Sequence, residues 1–119
     1  MARRRPQISK VDSNHAAIVN ELRGARLSVQ SLAKVADGCP DICVGYAGVN
    51  LLFEIKEWRN QRGDPRNLTS AEVEWHQSWL GQVAVVTSSR QVIEVMEKEL
   101  KRLNVQHLTP EALGLLVLG

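Results

Sequence analysis

Cysteine is nearly missing from this chain of 119 residues: Cys39 and Cys43 are the only two. Two thiols cannot complete a four-ligand zinc site, and their place in and beside an expected strand marks them as free, partly buried side chains. The histidines, His15, His76 and His107, are scattered with no metal-ligand spacing between them. Aromatic residues make up only 4%, and Trp accounts for three of them. Charge of one sign is also lacking: the net value of +2 does not by itself announce a nucleic-acid partner. No apolar run is long enough to cross a membrane. Arg3-Arg4-Arg5 leads into Pro6 and polar residues rather than an apolar core, so it does not read as a signal peptide. The expected location is the cytoplasm. Internal repeats and low-complexity segments are absent.

A hydrophobic content of 44% is enough for a single core, and the length fits one domain. Residues 1–10 read as a flexible basic arm with Arg3, Arg4, Arg5 and Lys10. Asp12 or Ser13 can cap a helix over residues 14–23, with Val11, Ile18, Val19 and Leu22 as its stripe and Gly24 as its end. Leu27 to Leu32 alternates as a strand. Two more strands follow at Asp41–Tyr46 and Asn50–Lys56, then a loop from Trp58 to Asn67. Thr69 or Ser70 caps a second helix to about Leu80, with Val73, His76, Trp79 and Leu80 facing inward. Gln82–Thr87 is a continuous apolar run that suits a strand buried on both faces. A third helix, capped by Ser88 or Ser89, has Val92, Val95, Met96, Leu100 and Leu103 as its stripe, and Glu97, Glu99, Lys101 and Arg102 as a solvated face. The order α-β-β-β-α-β-α predicts an α/β fold: a mixed central sheet of about four strands flanked by helices. The domain spans residues 11–104, and residues 105–119 form an apolar extension of unassigned role.

The chemistry gathers on the second and third strands. Asp41 is followed after twelve residues by Glu54-Ile55-Lys56. If Ala47-Gly48 closes a two-residue hairpin loop, the register sets Asp41 across from Glu54 on one face. Alternation puts Lys56 on that face too, and Leu51, Phe53 and Ile55 on the other. Two crowded carboxylates need something positive between them, and both Lys56 and a divalent cation qualify. The plain alternative is a surface hairpin with a Glu–Lys pair and an Asp in a turn. Leu-Leu-Phe-Glu-Ile reads as a buried strand, and a carboxylate there carries a cost that calls for a reason.

Gly38-Cys39-Pro40-Asp41 followed by Glu54-Ile55-Lys56 resembles the PD-(D/E)XK nuclease signature. More narrowly, the chain resembles the small phage and prophage nucleases of the VRR-NUC and Holliday-junction-resolvase-like kind, over about residues 11–96. Asp12-Ser13-Asn14, Val29 to Leu32, Leu68-Thr69, Glu72 where the family often has Gln, Glu74-Trp75-His76, Trp79, Gly81 and Val83 to Val86 carry the wider likeness. The extra first-helix acid of many members falls near Ala17 here, and Glu21 lies one turn further on; it serves instead, or is simply an exposed helix residue.

The resemblance implies a restriction-endonuclease-like sheet and Mg²⁺- or Mn²⁺-dependent hydrolysis of DNA phosphodiesters, with branched DNA among the substrates. It implies that Asp41, Glu54 and the Ile55 carbonyl hold the metal. Lys56 would orient or deprotonate the attacking water, or stabilise the pentavalent phosphate. Gln30 either points into the same cleft or is structural. Arg59, Arg62 and Arg66, in the loop after the motif strand, are expected to contact DNA. Symmetric cutting of two strands would call for a homodimer. The competing expectations are a catalytically silent DNA-binding or structural module on the same fold, and a nuclease acting on RNA.

Overall fold

A computed structural model describes residues 8–57 and 68–103, with side chains from residue 14 onward. The arm residues 1–7, the arginines Arg59, Arg62 and Arg66, and the C-terminal extension lie outside the described residues. In chain order the elements are α1 (Ile8–Gly24), β1 (Ser28–Ser31), β2 (Ile42–Tyr46), β3 (Val49–Ile55), α2 (Ser70–Ser78), β4 (Val83–Val86) and α3 (Ser89–Leu103). The strands form one mixed sheet in the order β1-β2-β3-β4. β1, β2 and β3 pair antiparallel, and β4 pairs parallel to β3. This is the α/β arrangement that the pattern predicts.

The β2–β3 hairpin closes as expected. Tyr46 pairs with Val49 and Ile42 with Phe53, so only Ala47 and Gly48 form the loop. Both have positive φ, 52° and 82°, the type I′ combination that matches the twist of the flanking strands. Ile42 and Val44 on β2, and Val49, Leu51, Phe53 and Ile55 on β3, turn to one face. There they pack with Ile18 and Leu22 of α1, Val86 of β4, and Val92 and Met96 of α3. The opposite face carries Glu54 and Lys56, and α2 meets it at its first turn.

Several sequence expectations need correction. α1 begins at Ile8, so the last residues of the expected arm are helical and neither Asp12 nor Ser13 caps it. The helix continues through these positions at little cost, since Asp or Ser within a helix is disfavoured by only tenths of a kcal/mol, on the order of 0.5. The helix ends at Gly24 as expected, and the left-handed residue beyond it is Arg26 (φ 72°), with the Leu27 amide returning to the Leu22 carbonyl. α2 stops at Ser78. Trp79 is 44% exposed and Leu80 fully so, rather than inward. Among the described residues β4 is an edge strand, and only Val86 in it is fully buried, so the expected burial on both faces is not met. Glu99 leaves the expected solvated face of α3: it is buried and bound by the Arg102 guanidinium at 2.6 Å.

Candidate active site

Asp41 sits just before β2, where the hairpin register ends. Its amide donates to the Phe53 carbonyl, while its Oδ2 accepts the Ile55 amide at 2.7 Å. The side chain thus stands in for a ladder partner and fixes Asp41 beside the end of β3. A strand residue sends its N–H and C=O to the same edge, so the Ile55 carbonyl also emerges on the Asp41 side. The next residue reverses this: the Lys56 amide donates to the Val86 carbonyl of β4.

Glu54 is 3% exposed and its Oε1 has no hydrogen-bond partner. Burial, then the Asp41 charge, then that of Glu72 push its carboxyl up to about 9, so it holds a proton at neutral pH. Lys56 Nζ lies 3.7 Å from Glu54 Oε2 and 2.8 Å from Glu72 Oε1. Burial works to lower the Lys56 pKa, but the Glu72 hydrogen bond and the three carboxylates outweigh it, and the ammonium is held above its ordinary value.

Glu72 is the member of this cluster that the sequence reading assigned no site role. Thr69 caps α2, accepting the Glu72 amide on its hydroxyl at 3.1 Å, while Glu72 Oε1 accepts the Thr69 amide at 2.9 Å. The Thr-x-x-Glu spacing is a capping-box signal and gives the position of Glu72 at the helix start. Only the approach of α2 to the sheet brings that oxygen to Lys56. Gly38, at φ 82°, makes this approach possible: a Cβ there would stand 2.2 Å from the Ala71 carbonyl oxygen. Despite burial, the Lys56 and Thr69 bonds hold the Glu72 carboxyl below its usual range.

Three more residues border the cluster. Asn14 of α1 donates from Nδ2 to the Lys56 carbonyl at 2.8 Å, and its Oδ1 is buried without a partner. The Cys39 thiol is pushed up by burial and by the Glu54 and Asp41 charges, consistent with a free thiol. His76 follows Glu72 by one turn. Its Nε2 is buried without a partner, and burial lowers its pKa, which favours the neutral imidazole.

Two candidates do not join them. Glu21 accepts the Ser89 hydroxyl at 2.6 Å, linking α1 to α3 over the other face of the sheet. Gln30 pairs across from Cys43, is exposed, and donates to the Ser31 carbonyl at 3.1 Å, a local bond rather than one to the acids. Among the described residues, no group of three or more His, Cys, Asp or Glu side chains is arranged to hold a metal ion, and no helix is long and apolar enough to cross a membrane. Comparison with family models, curated proteins and solved structures returns no match for this chain.

Proposed function

We propose that this chain is a divalent-metal-dependent nuclease that hydrolyses DNA phosphodiester bonds, in keeping with its resemblance to the PD-(D/E)XK group. The carrying observation is the partnerless Oε1 of the buried Glu54, set beside Asp41 and Lys56. A carboxyl raised so far by burial and like charge is poorly satisfied by the protein alone, and a hard cation is the partner its oxygens suit. Asp41, Glu54 and the Ile55 carbonyl would hold Mg²⁺ or Mn²⁺. When bound, such an ion polarises a phosphoryl oxygen and acidifies water.

The chain's own residues supply the rest. Lys56, held by Glu72, stays a charged ammonium and would stabilise the charge that develops on a phosphoryl group bound at the acids. That favours electrostatic stabilisation over proton abstraction. Asp41 locks the end of β3 through the Ile55 amide, which keeps Glu54 and Lys56 in register.

A second reading has an observation of its own. Lys56 bridges Glu54 and Glu72, and the protonated Glu54 bonds to Glu72, so the cluster is largely neutralised without an ion. That closure suits a catalytically silent DNA-binding or structural module. A Mg²⁺ titration against plasmid, four-way-junction and RNA substrates separates the two. Metal-dependent DNA cleavage that disappears in Asp41→Asn and Lys56→Ala, with DNA binding kept, is the expected result. Absence of cleavage at any Mg²⁺ or Mn²⁺ concentration would leave only the silent module.

A further inference from the structure

α2 carries an anomaly. It has no buried residue, yet it and its cap hold Trp75 and Trp79, two of the three tryptophans in the chain. Their rings stack on each other, with centroids 4.6 Å apart and planes 18° from parallel. Trp75 also meets the His76 ring edge-on at 5.8 Å. The outer ring, Trp79, is 44% exposed, and Leu80 beside it is fully exposed. Aromatic rings are usually the first groups a fold buries. Here the helix is instead fixed at its other end, by the Thr69 cap and the Glu72–Lys56 bond.

We propose that the Trp75–Trp79 pair is a stacking platform for an unpaired nucleobase of the nucleic acid whose backbone lies at the Asp41–Glu54–Lys56 cluster. The inference rests on the nucleic-acid reading above and narrows the substrate to strands with an accessible base. A ring that is 44% exposed on a pre-stacked pair offers the kind of flat aromatic surface on which a base stacks, and stacking of this kind tolerates any sequence. Duplex bases hide their faces in their own stack, so the platform selects single-stranded, frayed or branched positions. The geometry suits one strand touching both places. Glu72 and Trp79 are seven residues apart on one helix and its cap, about 10 Å along the axis, the span of a few nucleotides. Trp75, prepaid in its stacked arrangement, supports the Trp79 ring so that little order is lost on binding.

The test uses the full chain in EDTA, so that binding is read without cleavage. The probes are a labelled oligothymidylate, a duplex of the same length, and an abasic strand with the same phosphates but no bases. Anisotropy gives the affinity and tryptophan quenching reports the contact. Trp79→Ala should weaken oligothymidylate binding about tenfold or more, Trp79→Phe should keep most of it, and neither should change binding of the abasic strand. Unaltered oligothymidylate binding by Trp79→Ala, or an equal loss on the abasic strand, would overturn the platform. Mg²⁺-dependent cleavage by the unsubstituted chain is scored separately. Base-dependent binding without cleavage would keep the platform and remove the nuclease, and cleavage with no dependence on Trp79 would do the reverse.

Discussion

Glu72 holds Lys56 with the same oxygen that closes the cap of α2: its Oε1 lies 2.8 Å from Lys56 Nζ and 2.9 Å from the Thr69 amide. A helix start and a proposed catalytic cation are therefore one hydrogen-bonded unit. Disturbing either end should be felt at the other.

Glu72→Gln tests that unit. The amide can still accept from Thr69 but no longer pairs as an anion with Lys56. Metal-dependent cleavage should fall by about tenfold or more, with a stability loss of only about 1 kcal/mol. Glu72→Ala also removes the reciprocal cap and should cost more stability than Glu72→Gln. Urea unfolding and single-turnover rates measured on both variants would show it; equal stability in the two would mean the cap does not depend on this side chain.

Glu54→Gln should abolish metal-dependent turnover by orders of magnitude and leave the metal-free fold as stable or more so, since it removes a buried, crowded carboxyl. Unchanged turnover would end the metal-site assignment.

The same group sets a pH dependence. Glu54 titrates at about 9 in the folded chain against an ordinary value of 4.5. Because the folded pKa is the higher one, the stabilising contribution of its proton is complete below the ordinary value. It is lost progressively as pH rises from there through about 9. Stability in EDTA should therefore fall across that window, by at most about 1.4 kcal/mol per pH unit for one proton. Glu54→Gln should flatten the fall. Metal binding must displace the proton, so calorimetry in buffers of different ionisation enthalpy should detect proton release on adding Mn²⁺ at neutral pH.

Asn14→Leu should loosen the carbonyl of Lys56, because the Nδ2 bond at 2.8 Å is lost and the carbonyl is left to find another donor. A stability loss of about 1–3 kcal/mol is expected. Asn14→Asp should do worse, since it faces the carbonyl with an acceptor. Thermal melts rank the three chains.

Backbone strain gives a fifth check. Ala47 occupies a left-handed position, φ 52°, that Asn tolerates better. Ala47→Asn should stabilise the hairpin by about 0.5–1 kcal/mol. Gly38→Ala should do the opposite, by about 2 kcal/mol or more, because the new Cβ would lie 2.2 Å from the Ala71 carbonyl oxygen. It should also displace α2 and reduce activity more than stability.

Local patterns carried much of this molecule. Alternation along Val49–Ile55 and the Ala47-Gly48 loop were enough to place Glu54 and Lys56 on one face and the apolar residues on the other, because a strand has a period of two and a two-residue turn fixes register. The Thr69 cap and the seven-element order were legible for the same reason: each depends on neighbours in sequence. What the sequence could not decide was how separate elements meet. Glu72 reached Lys56, Asn14 reached the Lys56 carbonyl, and Glu21 went to Ser89 instead of the acids, all through contacts between residues far apart in the chain. Trp79 and Leu80 continue the helical spacing of α2, but burial follows from which surfaces face each other, and that is set by packing rather than by period.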